Sequence, residues 1–259
     1  MLGLLIGLCA VLGLVVGSFL NVVIYRVPRN ESIVTPRSSC PTCGAQLRER
    51  DNIPVVSWVL LHGRCRDCRA PISMRYPLVE LCCAALFAGT AARFGRQWDL
   101  PAFLALFAGL LALSYIDVER MILPKKIVYP LTVLVAALLL LAAAMTGKWH
   151  GLVIGVICGA VWFAVFLAMN FASPRILGFG DVRLSFVLGL SLGWLGAGYV
   201  LLGFFAANLI GAVVGIVLIA TKHLDRQTQV PYGVFLAAGC AVAVFAGPEI
   251  LRPFSHYSI

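Results

Sequence analysis

The chain has 259 residues, 61% of them hydrophobic and only 12% charged, with a formal net charge of +9. Soluble globular domains average roughly 45–50% apolar and about 25% charged residues, so this composition excludes an ordinary soluble globule. The apolar residues lie in continuous runs rather than in alternation, which predicts an all-α polytopic membrane helix bundle and not a β-barrel.

The first run covers residues 2–24, and the first charge is Arg26. A run of that length with no basic flank before it is not a cleavable signal peptide. It reads as a permanent first transmembrane helix with its N-terminus outside. Residues 25–75 follow as a polar block with Pro28, Pro36, Pro41, Pro54 and Pro71. A block this small cannot bury enough apolar surface to fold alone and calls for a staple. Further spans are predicted at 76–92, 100–116, 127–146, 151–172, 184–198, 199–221 and 232–250, about eight in all. The stretch 184–221 is too long for one span and barely long enough for two. Gly196-Ala197-Gly198 is the predicted turn within it.

This map places sixteen of the twenty Lys and Arg on one side, nine of them Arg in the polar block and the rest including Arg120, Arg175, Lys222 and Arg226. Only Arg93, Arg96, Lys148 and Arg252 face the other way. The positive-inside rule therefore assigns the polar block to the cytoplasm. It also accounts for the net charge without a nucleic-acid partner. Such loops additionally suit anionic membrane lipid.

The staple is legible as Cys40-Pro-Thr-Cys43 and Cys65-Arg-Asp-Cys68, separated by 21 residues. Four thiolates at this spacing can close a tetrahedral structural zinc site with no open position for substrate. Cytoplasmic location disfavours persistent disulfides, and Arg64, Arg66 and Arg69 would favour thiolates. A redox pair or unpaired thiols are the alternatives. Cys9, Cys82, Cys83, Cys158 and Cys240 lie in apolar runs and read as small core residues.

Two aspartates stand where apolar runs give way to polar segments: Asp117 and Asp181. A carboxylate at a bilayer edge costs free energy and generally has a partner or a task. Taken singly, Asp117 could pair with nearby Arg120, and Asp181 could be a helix N-cap. Gly178 and Gly180 before Asp181 favour an open, non-helical backbone with room for an extended peptide and a water. Ile122-Leu123-Pro124 breaks the helix just after Asp117. Both aspartates fall on the same predicted face of the membrane. A pair of this kind could share one proton and activate water.

These residues resemble the type IV prepilin leader peptidases, which are also N-methyltransferases. The matching segments are Gly17 to Arg26, the two cysteine knuckles with Gly63-Arg64, and Arg75-Tyr-Pro-Leu-Val-Glu-Leu81. Asp117 with Ile122-Leu123-Pro124, Gly178-Phe-Gly-Asp181 and Pro231-Tyr-Gly-Val-Phe-Leu-Ala237 complete them. The resemblance implies a Gly-x-Gly-Asp aspartic endopeptidase of the bacterial inner membrane with Asp117 and Asp181 as the catalytic pair. It implies zinc on Cys40, Cys43, Cys65 and Cys68, and S-adenosylmethionine as methyl donor. Its substrates would be type IV prepilins or type II secretion pseudopilins, cut at the cytoplasmic face and then methylated on the new N-terminus. On this reading residues 1–24 are the first helix, 25–75 the cytoplasmic knuckle domain serving methyl transfer, and 76–259 the peptidase domain. A peptidase without methylation is the alternative.

The chain departs from the family pattern at Lys125, where an Asp is common after Ile-Leu-Pro, and at Pro174-Arg-Ile-Leu177, where many members carry a Lys-Glu-like pair. Glu80 and Glu119 are then the candidate contacts for a basic leader. A rival motif, Gly189-Leu-Ser-Leu-Gly193, fits Gly-x-Ser-x-Gly, but it lies in an apolar helix rather than a strand–turn–helix, and His150 and His223 fall in predicted loops with no evident reach to it. A non-enzymatic scaffold with a knuckle contact domain is a third reading.

Overall fold

The computed structural model describes residues 1–172, 177–221 and 231–252. Arg175, Lys222, His223, Arg226 and the segment Pro174-Arg-Ile-Leu177 up to Ile176 lie outside the described residues. Nine α-helices are present among those described: α1 (Leu2–Arg26), α2 (Val56–Leu60), α3 (Arg75–Phe94), α4 (Leu100–Arg120), α5 (Lys125–Thr146), α6 (Trp149–Ala172), α7 (Phe179–Leu195), α8 (Ala197–Ala220) and α9 (Tyr232–Leu251). Seven of them are long and apolar enough to cross a membrane, namely α1, α3, α4, α5, α6, α8 and α9. The chain is therefore a multi-pass membrane protein of the predicted helical class. α7 has 17 residues, about 25 Å at 1.5 Å per residue, at the short end of what a span requires.

The division of 184–221 falls where expected. Gly196 takes φ 133°, a conformation open to glycine, and separates α7 from α8. α7 itself begins earlier than the predicted 184, because the Gly-x-Gly-Asp segment forms its first turn instead of a loop.

The chain divides into two compact units, Met1–Leu100 and Pro101–Ile259. In the first, α1 packs on α3 through glycine. A Cβ at Gly13 would stand 2.7 Å from the Ala84 Cα, and one at Gly17 would stand 2.7 Å from the Glu80 Cα. Backbones this close are how helices associate in lipid, where hydrophobic burial gives no net drive.

The second unit repeats the device. Gly155 and Gly159 on α6 face Gly189 and Gly193 on α7; a Cβ at Gly189 would meet the Gly159 Cα at 2.7 Å, and one at Gly193 would meet the Gly155 Cα at 2.8 Å. On α8 and α9, Gly203 and Ala207 meet Gly239 and Ala243 in the same manner. The Gly189-x-Ser-x-Gly193 motif is thus packing. Ser191 is 1% exposed and donates its hydroxyl to the Val187 carbonyl at 2.7 Å, one turn back. A nucleophile elbow needs an exposed serine on a sharp turn, so the serine-protease reading fails.

Candidate active site

α4 ends at Arg120 because Met121 turns left-handed, at φ 54°, and Pro124 opens α5 with φ −63° and ψ 126°. The expected break at Ile122-Leu123-Pro124 is present. It leaves Asp117 in the last turn of α4 with its backbone intact. The Asp117 side chain is buried, at 6% exposure. Arg120 is exposed and does not form the ion pair anticipated for it. The partners are instead the backbone N–H groups of Gly233 and Val234, in the first turn of α9. These are two of the four N–H groups that a helix start leaves without an internal acceptor. Asp117 Oδ2 is buried without a hydrogen-bond partner.

Asp181 is not the N-cap of α7. That position is Gly178, with φ −70° and ψ 147°, and Asp181 is the third helical residue. Its carboxylate turns back to accept the Gly178 N–H and its own N–H, the half of a capping box that a third-position acid supplies. Its Oδ1 is buried and without a partner. Asn170 on α6 donates from Nδ2 to the carbonyl of Leu177, the residue before Gly178, at 2.6 Å.

The two carboxylates converge, close enough for the charge on Asp117 to act on Asp181. Each retains one buried oxygen with nothing bound to it. Between the elements that carry them sits Leu123, 8% exposed. A Cβ at Gly180 would lie 2.8 Å from the Leu123 Cβ, and one at Gly233 would lie 3.1 Å from its Cδ2 and 2.9 Å from Asp117 Oδ2. The two glycines of the motif therefore differ in role. The space above Gly180 is filled by Leu123, whereas a Cβ at Gly178 would meet little beyond Asp181 Oδ2, at 3.2 Å. Only Gly178 supplies the opening that the sequence suggested for both.

Sequence reasoning missed Gly233, Val234 and Tyr232 as functional groups. The signal was there: Pro231 directly before an apolar run marks a helix start with free N–H groups. The Tyr232 hydroxyl donates to Asn208 Oδ1 at 3.3 Å, its ring lies 6.3 Å from that of Phe166, and it is within the electrostatic reach of Asp181.

Glu80 does not await a basic peptide. It is 6% exposed and accepts the Val55 N–H at 2.7 Å, which holds Val55 in a positive-φ conformation (59°) that a β-branched residue seldom adopts. Glu119 is exposed and already has a partner.

The two cysteine knuckles form matching turns. The Cys40 N–H bonds the Ala45 carbonyl at 2.9 Å and the Cys65 N–H bonds that of Ala70 at 2.8 Å. A left-handed residue follows the second cysteine of each, Gly44 at φ 73° and Arg69 at φ 61°. Short antiparallel bridges, Ser39 to Gln46 and Arg64 to Pro71, close both turns. All four Sγ atoms lie within 4.8 Å of one another, and Cys40 Sγ stands 3.8 Å from Cys68 Sγ. Tetrahedral zinc with Zn–S bonds of about 2.3 Å requires Sγ atoms about 3.8 Å apart, so the residues fit that ion. The Cys40 thiol is pulled down to about 6 by the Cys43 and Thr42 backbone N–H groups. The flanking arginines do not do this. Arg66 is engaged with Asp51, to which its Nε donates at 2.9 Å.

Residues 11–94 match the bacterial peptidase A24 N-terminal domain, and residues 104–216 match the type IV leader peptidase family. The prepilin leader peptidase/N-methyltransferase of Stutzerimonas stutzeri is 36% identical over 97% of this chain and 94% of its own length. Proteins of the same name from Pseudomonas aeruginosa (34% identical, 97% of this chain, 94% of its own length) and Burkholderia pseudomallei (37% identical, 95% and 86%) are similarly close. No solved structure matches the chain. With both family segments matched and relatives similar along nearly the whole length, the chain belongs to the type IV leader peptidase family.

Proposed function

We infer that the chain is a bifunctional membrane enzyme that cleaves the leader peptide of type IV prepilins or type II secretion pseudopilins and N-methylates the new N-terminus. The observation that carries the peptidase assignment is the convergence of Asp117 and Asp181, each with a buried, unpartnered oxygen. A neighbouring pair of carboxylates works as an acid–base couple when one proton is shared between the two. The ionised member takes a proton from water as the water attacks the scissile carbonyl. The protonated member donates a hydrogen bond to that carbonyl oxygen and then passes its proton toward the leaving amine. The Gly233 and Val234 N–H groups fix the Asp117 carboxylate, and the Gly178 N–H fixes that of Asp181. Preset orientation of this sort removes an entropic part of the barrier.

The four cysteines hold structural zinc, which ties together a segment too small to fold on its own apolar core. S-adenosylmethionine supplies the methyl group. The described residues contain no strand followed by a glycine-rich nucleotide loop, so no residue is assigned to holding it. Residues 25–75 serve methyl transfer and 76–259 serve cleavage. The cation distribution supports an inner-membrane protein with a periplasmic N-terminus and the aspartate pair at the cytoplasmic face.

Purified protein in detergent, mixed with a prepilin, tests the reading. The expected product has lost its leader, and in the presence of S-adenosylmethionine gains the mass of one methyl group. A leader still intact after prolonged incubation would remove the peptidase assignment.

A further inference from the structure

We propose that Leu123 is a positioning residue that sets the separation of the two carboxylates, an inference that rests on the aspartate-pair reading above. Three elements meet on this one side chain. It is delivered by the short link between α4 and α5, which is held at both ends. Met121 turns left-handed with its N–H on the Asp117 carbonyl at 2.8 Å, and the Pro124 carbonyl accepts the Ile127 N–H at 2.9 Å. Within that link Met121 and Ile122 are exposed, at 45% and 44%, while Leu123 turns inward and is 8% exposed. Its Cβ lies against the Gly180 backbone, one residue before Asp181, and its two methyl groups lie against the Gly233 backbone, whose N–H holds Asp117.

At Gly180 no Cβ fits because the Leu123 Cβ would stand 2.8 Å away; at Gly233 a Cβ would meet Asp117 Oδ2 at 2.9 Å and the two Leu123 methyl groups at 3.1 and 3.2 Å. The start of α7 and the start of α9 are therefore each seated directly on this side chain, and each carries or orients one carboxylate. A leucine is a stiff spacer in such a place, since its branched methyl groups fill space in few rotamers. Shortening it would leave a void that the neighbouring helix starts could close only by moving. A displacement of about 1 Å at a reacting pair can cost about 10²-fold in rate.

The test compares purified full-length Leu123→Ala, Leu123→Met and Gly180→Ala with the wild type, using a prepilin for cleavage and an already leaderless pilin peptide for methylation. Leu123→Ala is expected to lower the kcat of cleavage about 10²-fold while KM and the methylation rate stay near wild type. Leu123→Met, which restores the volume, is expected to recover most of the lost kcat. Gly180→Ala presses a new methyl group onto Leu123 from the other side and is expected to lower kcat with KM unchanged, which decides the matter if the alanine variant at 123 does not fold.

Cleavage by Leu123→Ala at the wild-type kcat would overturn the proposal. So would losses that fall equally on cleavage and methylation in all three variants, since that pattern marks a general structural role. Asp117→Asn and Asp181→Asn run in the same assay separate the two levels. If both are inactive while Leu123→Ala is unimpaired, only the spacer is refuted. If either still cleaves, the aspartate-pair reading fails and this inference falls with it.

Discussion

Gly233 gives its backbone N–H to the Asp117 carboxylate and at the same time leaves no room for a side chain: a Cβ there would stand 2.9 Å from Oδ2 of that carboxylate. The first turn of α9 is therefore part of the site, although it carries no titratable group of its own apart from Tyr232. It holds the carboxylate by the N–H groups that any helix start has in surplus.

Gly233→Ala should consequently damage cleavage without unfolding the protein. The new methyl group must push either Asp117 or Leu123, and a loss of about 10²-fold in kcat is expected. Gly215→Ala is the matched control, because nothing lies within 4 Å of a Cβ there. It should leave cleavage unchanged and raise helix stability slightly. Steady-state kinetics of the two variants check the contrast.

Asp117→Asn and Asp181→Asn should each reduce leader cleavage by about 10²–10⁴-fold, the range typical of positioned acid–base groups. Both should still methylate a leaderless peptide, since no part of that step is assigned to the pair. The wild-type rate should follow a bell in pH whose two limbs belong jointly to the dyad. A scaffold without catalytic function predicts no change in either variant. Measuring cleavage and methylation on one preparation separates the two outcomes.

Cys40→Ser should lower zinc per protein molecule and expose residues 25–75 to proteolysis. Cys40 is one of the two buried members of the cluster, with its Sγ 3.8 Å from that of Cys68. Serine offers a weaker ligand for a tetrahedral thiolate site. Metal analysis of the purified variant against wild type decides it, and equal zinc in both would remove the site.

Ser191→Ala should leave cleavage intact, because its hydroxyl is bonded inside α7 and only 1% exposed. Gly189→Val, two residues away, should destabilise the α6–α7 pair by about 1–3 kcal/mol or more through overpacking, since even a Cβ there would meet the Gly159 Cα at 2.7 Å and the Cys158 carbonyl oxygen at 2.8 Å. Thermal unfolding in detergent, beside the cleavage assay, distinguishes a packing glycine from a nucleophile motif.

Much of this protein is legible in the order of its residues because membrane folding imposes local rules. Hydrocarbon demands helices of a certain length, so the apolar runs mark nearly every helix and Gly196 marks the break that a continuous run conceals. The spacing of Cys40, Cys43, Cys65 and Cys68 announces a metal knuckle, since each pair needs only a tight local turn. Asp117 and Asp181 stand out because a carboxylate at the end of an apolar run is costly. What the chain order could not disclose is which group answers each of these charges. Arg120 is adjacent to Asp117 yet unpaired with it, while Gly233 and Val234 arrive from the far end of the chain. Arg66 sits beside Cys65 but bonds Asp51, and Glu80 closes on Val55 instead of facing a substrate. Leu123 is an unremarkable apolar residue until two glycines are folded onto it. Periodicity and composition are properties of a segment, whereas partnership depends on which helix ends meet. That meeting is decided by close packing among helices distant in sequence, and only the tertiary structure contains it.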